Sequence, residues 1–246
     1  MALVQAHNKS IWLLLLAALL AAFPGSAQEH TAAGLTYAVR KASGNAKNPP
    51  LLLLLHGYGS NEQDLFGLAP QLPGKFLIVS ARAPITLSAG SYAWYPVHFV
   101  SGTPVSDAAK AEEARKKILE FLTALKAQRP YDDREIYLLG FSQGAILCYS
   151  LGLTEPARFK GIAVMSGRLL PEIKPRVAPA SKLAALSIFI SHGTVDKVLD
   201  LHYAQDAVAF LASRGVRPTY HEYPGVGHGI SPEMLADVKT WLQKND

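Results

Sequence analysis

Apolar residues cluster in two ways along this chain. Short, nearly unbroken runs occupy Leu51–Leu55, Phe76–Ser80, Glu135–Leu139, Gly161–Met165, Ser187–Ser191 and Thr219–Tyr223. Their length and their lack of polar alternation predict strands covered on both faces. Between them, Asp107–Gln128, Gln143–Leu153, His202–Arg214 and Pro232–Lys244 predict helices. The helical pattern recurs at three and four, as at Ala111, Arg115, Ile118, Leu119, Leu122 and Leu125. Leu35–Lys41 adds an edge strand ahead of Pro49-Pro50. Strands alternating with helices predict an α/β fold with a mostly parallel central sheet and helices on both faces.

The first residues follow a different rule. Lys9 precedes an apolar run from Ile11 to Phe23, and Pro24-Gly25-Ser26-Ala27 follows with small side chains. A basic start, an apolar core and a small-residue exit are the marks of a secretory signal. Residues 1–27 are therefore expected to be a cleaved signal peptide and residues 28–246 a single domain, secreted or periplasmic. The run is too short to span a bilayer of about 30 Å, so no stable membrane anchor is expected. The lone cysteine, Cys148, cannot form an intrachain disulfide, and its apolar surroundings make it a core side chain.

Charge changes the picture little. The net charge of +5 could suit an anionic partner, but no long block of like charges occurs. Arg115-Lys116-Lys117 follows Glu112-Glu113 on one helix and reads as a solvated face, so no nucleic-acid site is expected. No ligand spacing for a metal and no phosphate-binding glycine fingerprint is present, and no cofactor is expected.

Candidate chemistry sits just after the strands, where open α/β sheets bind ligands. The strand at Glu135–Leu139 runs directly into Gly140-Phe141-Ser142-Gln143-Gly144, and a helix begins at once. G-x-S-x-G in that context forces a tight turn that projects the Ser142 hydroxyl as a nucleophile. A serine needs a base, and His228 in Gly225-Val226-Gly227-His228-Gly229 occupies the next suitable turn. His56 and His192 lie in His-Gly pairs at strand ends and are expected to brace loops. His202 and His221 fall inside predicted elements, and His98 in a loop. An acid must orient the base, and Asp196 follows the strand Ser187–Ser191; Asp200 is its nearest competitor. The order Ser142, Asp196, His228 is that of α/β-hydrolases. Attack on an acyl carbon creates an oxyanion, for which the amides of Gln143 and, in Leu55-His56-Gly57-Tyr58-Gly59-Ser60, of Tyr58 are the candidate donors.

Taken together, these segments resemble the phospholipase/carboxylesterase family of acyl-protein thioesterases and small bacterial carboxylesterases. The resemblance runs through Leu55-His56-Gly57-Tyr58-Gly59-Ser60-Asn61 with Asp64-Leu65, Arg82-Ala83-Pro84, Trp94-Tyr95-Pro96 and Gly140-Phe141-Ser142-Gln143-Gly144-Ala145. It continues through Ser166-Gly167, His192-Gly193 with Asp196 and Val198, and Gly227-His228. It implies an α/β-hydrolase fold with no large cap domain, monomeric or homodimeric, that cleaves small-molecule esters or thioesters. It also implies that Tyr58 and Gln143 form the oxyanion hole and that Trp94 and Val198 line the acyl pocket. Trp94 and Phe99 would make that pocket hydrophobic. The sequence departs from the family at Asp196-Lys197-Val198-Leu199-Asp200, where relatives often carry a second valine and a proline, and in its export signal. A peptidase or polyester depolymerase on the same sheet, or a non-catalytic binding protein that keeps the fold, are the alternatives. Turnover of short p-nitrophenyl esters separates enzyme from binder.

Overall fold

A computed structural model describes residues 29–100 and 103–244. The expected signal segment with its cleavage point lies outside the described residues, as does the side chain of Phe99. In chain order the elements begin β1 (His30–Ala32), β2 (Leu35–Arg40), β3 (Leu51–Leu55), α1 (Glu62–Phe66) and β4 (Leu77–Ala81). Two excursions follow, β5 (Ile85–Ser88) with β6 (Ser91–Ala93), and β7 (Val97–Val100) with β8 (Thr103–Ser106). Then come α2 (Ala108–Gln128), β9 (Ile136–Phe141), α3 (Gln143–Thr154), β10 (Gly161–Met165) and α4 (Ala180–Leu183). The chain closes with β11 (Ser187–Gly193), α5 (His202–Ser213), β12 (Thr219–Tyr223) and α6 (Pro232–Lys244).

The main sheet has eight strands in the order β1-β2-β4-β3-β9-β10-β11-β12. From β4 to β12 every neighbouring pair is parallel, while β1 and β2 are added antiparallel at one edge. Central strands are apolar throughout because both faces are covered. All five leucines of β3 are fully buried, and alternate ones serve different layers. Leu51, Leu53 and Leu55 pack with α2, α3 and α5, whereas Leu52 and Leu54 pack with α1 and α6. Each such leucine contributes roughly 1.5–3 kcal/mol on burial, an upper estimate because the unfolded chain is itself partly collapsed.

The predicted strands and long helices are all present, with ends moved by one or two residues. The expected edge strand is β2. Its partner β1 was not foreseen; Ala33 and Gly34 both adopt positive φ, 46° and 77°, which makes a tight two-residue hairpin turn. One expectation about charge is corrected. Arg115 does not belong to a solvated face: it is 6% exposed and bonds Glu112 at 2.8 Å and also Glu155. Beside it Lys116 is exposed. Cys148 is buried in the core, and that burial pushes its thiol well above the ordinary range. No helix among the described residues is long and apolar enough to cross a membrane.

Candidate active site

The site forms at the carboxyl ends of β3, β9 and β11 and of the turn after β12. At the end of β9 the backbone reverses within one residue: Ser142 has φ 52° and ψ −115°, a conformation that costs a non-glycine residue about 1–3 kcal/mol. The turn is so compressed that side chains at its flanking positions have no room. A Cβ on Gly144 would lie 1.9 Å from the Leu55 carbonyl oxygen, and one on Gly140 2.5 Å from the backbone of Gly144. The Ser142 amide donates to the Met165 carbonyl at 3.0 Å, which ties the turn to β10. α3 starts at the next residue, so its first amides and the positive end of its dipole face the same region.

Ser142, His228 and Asp196, the nucleophile, base and acid expected from sequence, lie in hydrogen-bonding reach of one another. The Ser142 hydroxyl donates to His228 Nε2 at 2.9 Å, and His228 Nδ1–H donates to Asp196 Oδ2 at 2.7 Å. Asp196 is 5% exposed. Burial alone would raise its carboxyl, but hydrogen bonds from His192, His228 and the amides of Leu199 and Val198 outweigh it, holding the group well below the usual carboxylate range. The amides of Val198 and Leu199 reach Oδ1 at 2.8 and 2.9 Å. The loop after the acid thus wraps its own backbone around the carboxylate. Asp200, the competitor, points elsewhere: it is exposed and bonds the amide and ring of His202.

The second His-Gly pair has a role that sequence reasoning left generic. His192 is fully buried, and its Nε2–H donates to the Leu199 carbonyl at 2.7 Å while lying 3.3 Å from Asp196 Oδ2. It therefore supports the acid from beneath and fixes the loop around it. Gly193 beside it is pressed against the base's turn, where a Cβ would sit 2.2 Å from the Val226 carbonyl oxygen. His56 holds the glycine-rich turn after β3. Its Nδ1–H donates to the Gly57 carbonyl at 2.7 Å, and its Nε2 accepts from the Ala83 amide at 3.0 Å. Burial lowers its pKa.

The two candidate oxyanion donors flank the hydroxyl. Gln143 opens α3, and Tyr58 lies on the facing turn, where Gly57 approaches so closely that a Cβ would meet that of Ser142 at 3.3 Å. Among the described residues, neither amide is paired with a carbonyl. The Gln143 side chain adds a function its motif did not suggest. Its Oε1 accepts from the Trp94 amide and its Nε2 donates to the Tyr95 carbonyl, both at 2.8 Å. The excursion over the sheet is thereby clamped to the serine turn. Gly59 and Ser60 pair with Tyr92 and complete the connection.

A cleft of about 170 Å³ opens beside Ser142 and His228. Tyr58, Tyr95, Val97, Ile146, Arg168 and Val198 are among its walls. Val198, expected to line the pocket, does so from the mouth, 48% exposed. The expectation for Trp94 is corrected. Its indole is 2% exposed, stacks near His56 and donates to the His56 carbonyl at 2.9 Å, so it braces the turn. Tyr95, the next residue, faces the cleft instead. Among the described residues no three His, Cys, Asp or Glu side chains gather as a metal site would require.

Comparison with known proteins is consistent across sequence and structure. Residues 38–246 match the phospholipase/carboxylesterase family model. A probable carboxylesterase of Oryza sativa subsp. japonica is 30% identical over 83% of this chain and 80% of its own. Acyl-protein thioesterase 1 of Mycosarcoma maydis is 27% identical over 85% of this chain and 96% of its own. Among solved structures, esterase PE8 superposes with a TM-score of 0.76 at 26% identity, over 86% of this chain and 99% of that one.

Proposed function

The chain belongs to the phospholipase/carboxylesterase family, and from that premise we propose that it hydrolyses carboxylic esters or thioesters through an acyl-enzyme on Ser142. Ser142 Oγ attacks the acyl carbon while His228 Nε2 takes its proton. Asp196 holds the ring with Nδ1–H toward the carboxylate and stabilises the imidazolium as it forms. The Tyr58 and Gln143 amides receive the oxyanion, each worth roughly 3–4 kcal/mol in such sites. His228 then protonates the leaving alcohol or thiol, and water, deprotonated by the same ring, releases the acid.

The observation that carries this reading is the unbroken relay from Ser142 Oγ through His228 to Asp196, at 2.9 and 2.7 Å. The cleft favours short substrates, since a cavity of about 150 Å³ accommodates a benzene-sized group. A fluorophosphonate probe is expected to label the purified protein and to fail on Ser142→Ala. Equal labelling of both would remove Ser142 from the nucleophile's role. Export through the N-terminal signal is part of the proposal, placing the substrates outside the cytoplasm.

A further inference from the structure

An arginine stands in the cleft and is used by no step of the proposed reaction. Arg168 follows β10 by way of Ser166 and Gly167 and shares the cavity walls with Ser142, Gln143 and His228. Among the described residues it forms no ion pair. Its Nη2 donates to Ser106 Oγ at 3.0 Å, and its guanidinium lies 5.5 Å from the Tyr203 ring. Its Nε–H is buried with no partner. A second polar group in the same wall also takes no part in the proposed reaction. The Tyr95 hydroxyl is completely buried, and Ser106 is the polar side chain beside it. Ser106 Oγ accepts from Arg168 and stands beside the Tyr95 hydroxyl, so the three groups form one polar cluster in the cleft wall.

A buried donor without an acceptor costs about 1–3 kcal/mol, and a guanidinium in the cleft wall is a poor neighbour for a plain hydrocarbon chain. An acceptor with negative charge would pair with the guanidinium, and a carboxylate matches the arginine fork. Resting on the hydrolase reading above, we propose that the natural substrates are short esters bearing a carboxylate, held by Arg168 with help from Ser106 and Tyr95. The reaction is ordinary hydrolysis. Water adds across the acyl C–O bond, releasing an alcohol and an acid, and the anchoring carboxylate is unchanged.

The test compares substrates that differ only in charge. Monoethyl glutarate is set against ethyl pentanoate for a charge on the acyl side, and butanoyloxyacetate against ethyl butanoate for a charge on the alcohol side. Hydrolysis is followed by pH-stat. The wild type is expected to favour the charged member of one pair by at least about tenfold in kcat/KM, the decade that one charge-assisted hydrogen bond supplies. Arg168→Gln collapses that ratio, and Arg168→Lys retains part of it. An arginine that merely braced β8 would lower both members of a pair alike, so an unchanged ratio in Arg168→Gln overturns the proposal. So does the absence of charge preference in both pairs. Calorimetric binding of monoethyl glutarate to Ser142→Ala reads the pocket without turnover. Binding weakened at least about tenfold by adding Arg168→Gln upholds the anion pocket even if no ester is hydrolysed, an outcome that would overturn the hydrolase reading alone. No binding, or binding indifferent to Arg168, overturns the pocket.

Discussion

Replacing Asp196 by asparagine keeps the shape of the acid and reverses the polarity of half of it. Oδ1 accepts the amides of Val198 and Leu199, and Oδ2 faces His228 Nδ1 with His192 Nε2 alongside. An asparagine NH₂ cannot sit at the first position, where it would confront two backbone N–H groups. It therefore takes the second and must donate to His228 Nδ1. The imidazole then carries its proton on Nε2, the atom that should accept from Ser142, and the nucleophile has no base. Loss of the correct tautomer in a triad costs about 10⁴-fold in kcat, or about 5.4 kcal/mol at 1.36 kcal/mol per decade. The assay is steady-state hydrolysis of p-nitrophenyl butyrate beside the rate of fluorophosphonate labelling, with a thermal melt to show that the variant folds. Asp200→Asn is the control, since that carboxylate is exposed and bonds only His202. Its activity is expected to stay within about twofold, as for a surface change remote from the reaction. A folded Asp196→Asn variant within tenfold of wild type would refute the tautomer reasoning and Asp196's role with it.

Three variants and one measurement on the exported protein test other parts of the account. Ser142→Gly relieves the positive-φ strain and is expected to melt about 2–6 °C above Ser142→Ala by calorimetry; identical melting temperatures would mean that the turn stores no strain. Because burial lowers the pKa of His56, its unfolded form takes up a proton below its ordinary value of about 6.5 while the folded form resists it, so stability present above that pH is lost on acidification. His56→Gln should therefore show a shallower fall in melting temperature from pH 7 to pH 5, and a slope equal to wild type would contradict this. Gly193→Ala drives a methyl group into the Val226 carbonyl and should displace His228, reducing kcat by about 10²-fold in a folded protein; full activity would show that the base's turn can yield without consequence. The exported protein is expected to begin near Gln28, which N-terminal mass determination checks against a chain that retains Met1.

The parts of the fold written in the sequence are those in which one physical cause acts alone. Strands β3, β4, β9, β10 and β11 are buried on both faces, so their apolar runs have no other explanation. Ser142 and its glycines were legible for a similar reason, since only a close backbone approach demands glycine at both positions. The excursion between β4 and α2 was not. Its strands are short, antiparallel and partly exposed, as in Ile85–Ser88, whose apolar-polar alternation spans only four residues and does not stand out from a loop. The family resemblance alone places Trp94 at the cleft. The motif Trp94-Tyr95-Pro96 marks the segment, but both aromatic residues lie in the bend after β6, and the Gln143 side chain, which pairs with the backbone of each, fixes which one lines the cleft. Arg168 gave no signal at all. An arginine after Ser166-Gly167 reads as surface until β8 and the cleft are in place.

A division of labour follows from how the pieces are held. The groups assigned to the proposed reaction stand on backbone fastened to backbone: Ser142 N to Met165 O at 3.0 Å, Thr194 N to Tyr223 O at 3.0 Å, and Val195 N to Val226 O at 3.1 Å. Gly144 and Gly193 let those contacts close, and any side chain there would push the turns apart. Such contacts are indifferent to what the neighbouring side chains are, so the relay can stay fixed while the walls change. Those walls are of another kind. Tyr58 and Val198 flank the mouth half-exposed, and Arg168 is held in the cleft wall by a hydrogen bond to Ser106. Substitutions at the walls alter which ester enters without moving Ser142, His228 or Asp196. In the proposed hydrolase, substrate choice is therefore assigned to the cleft's side chains, and the chemistry to the backbone geometry beneath them.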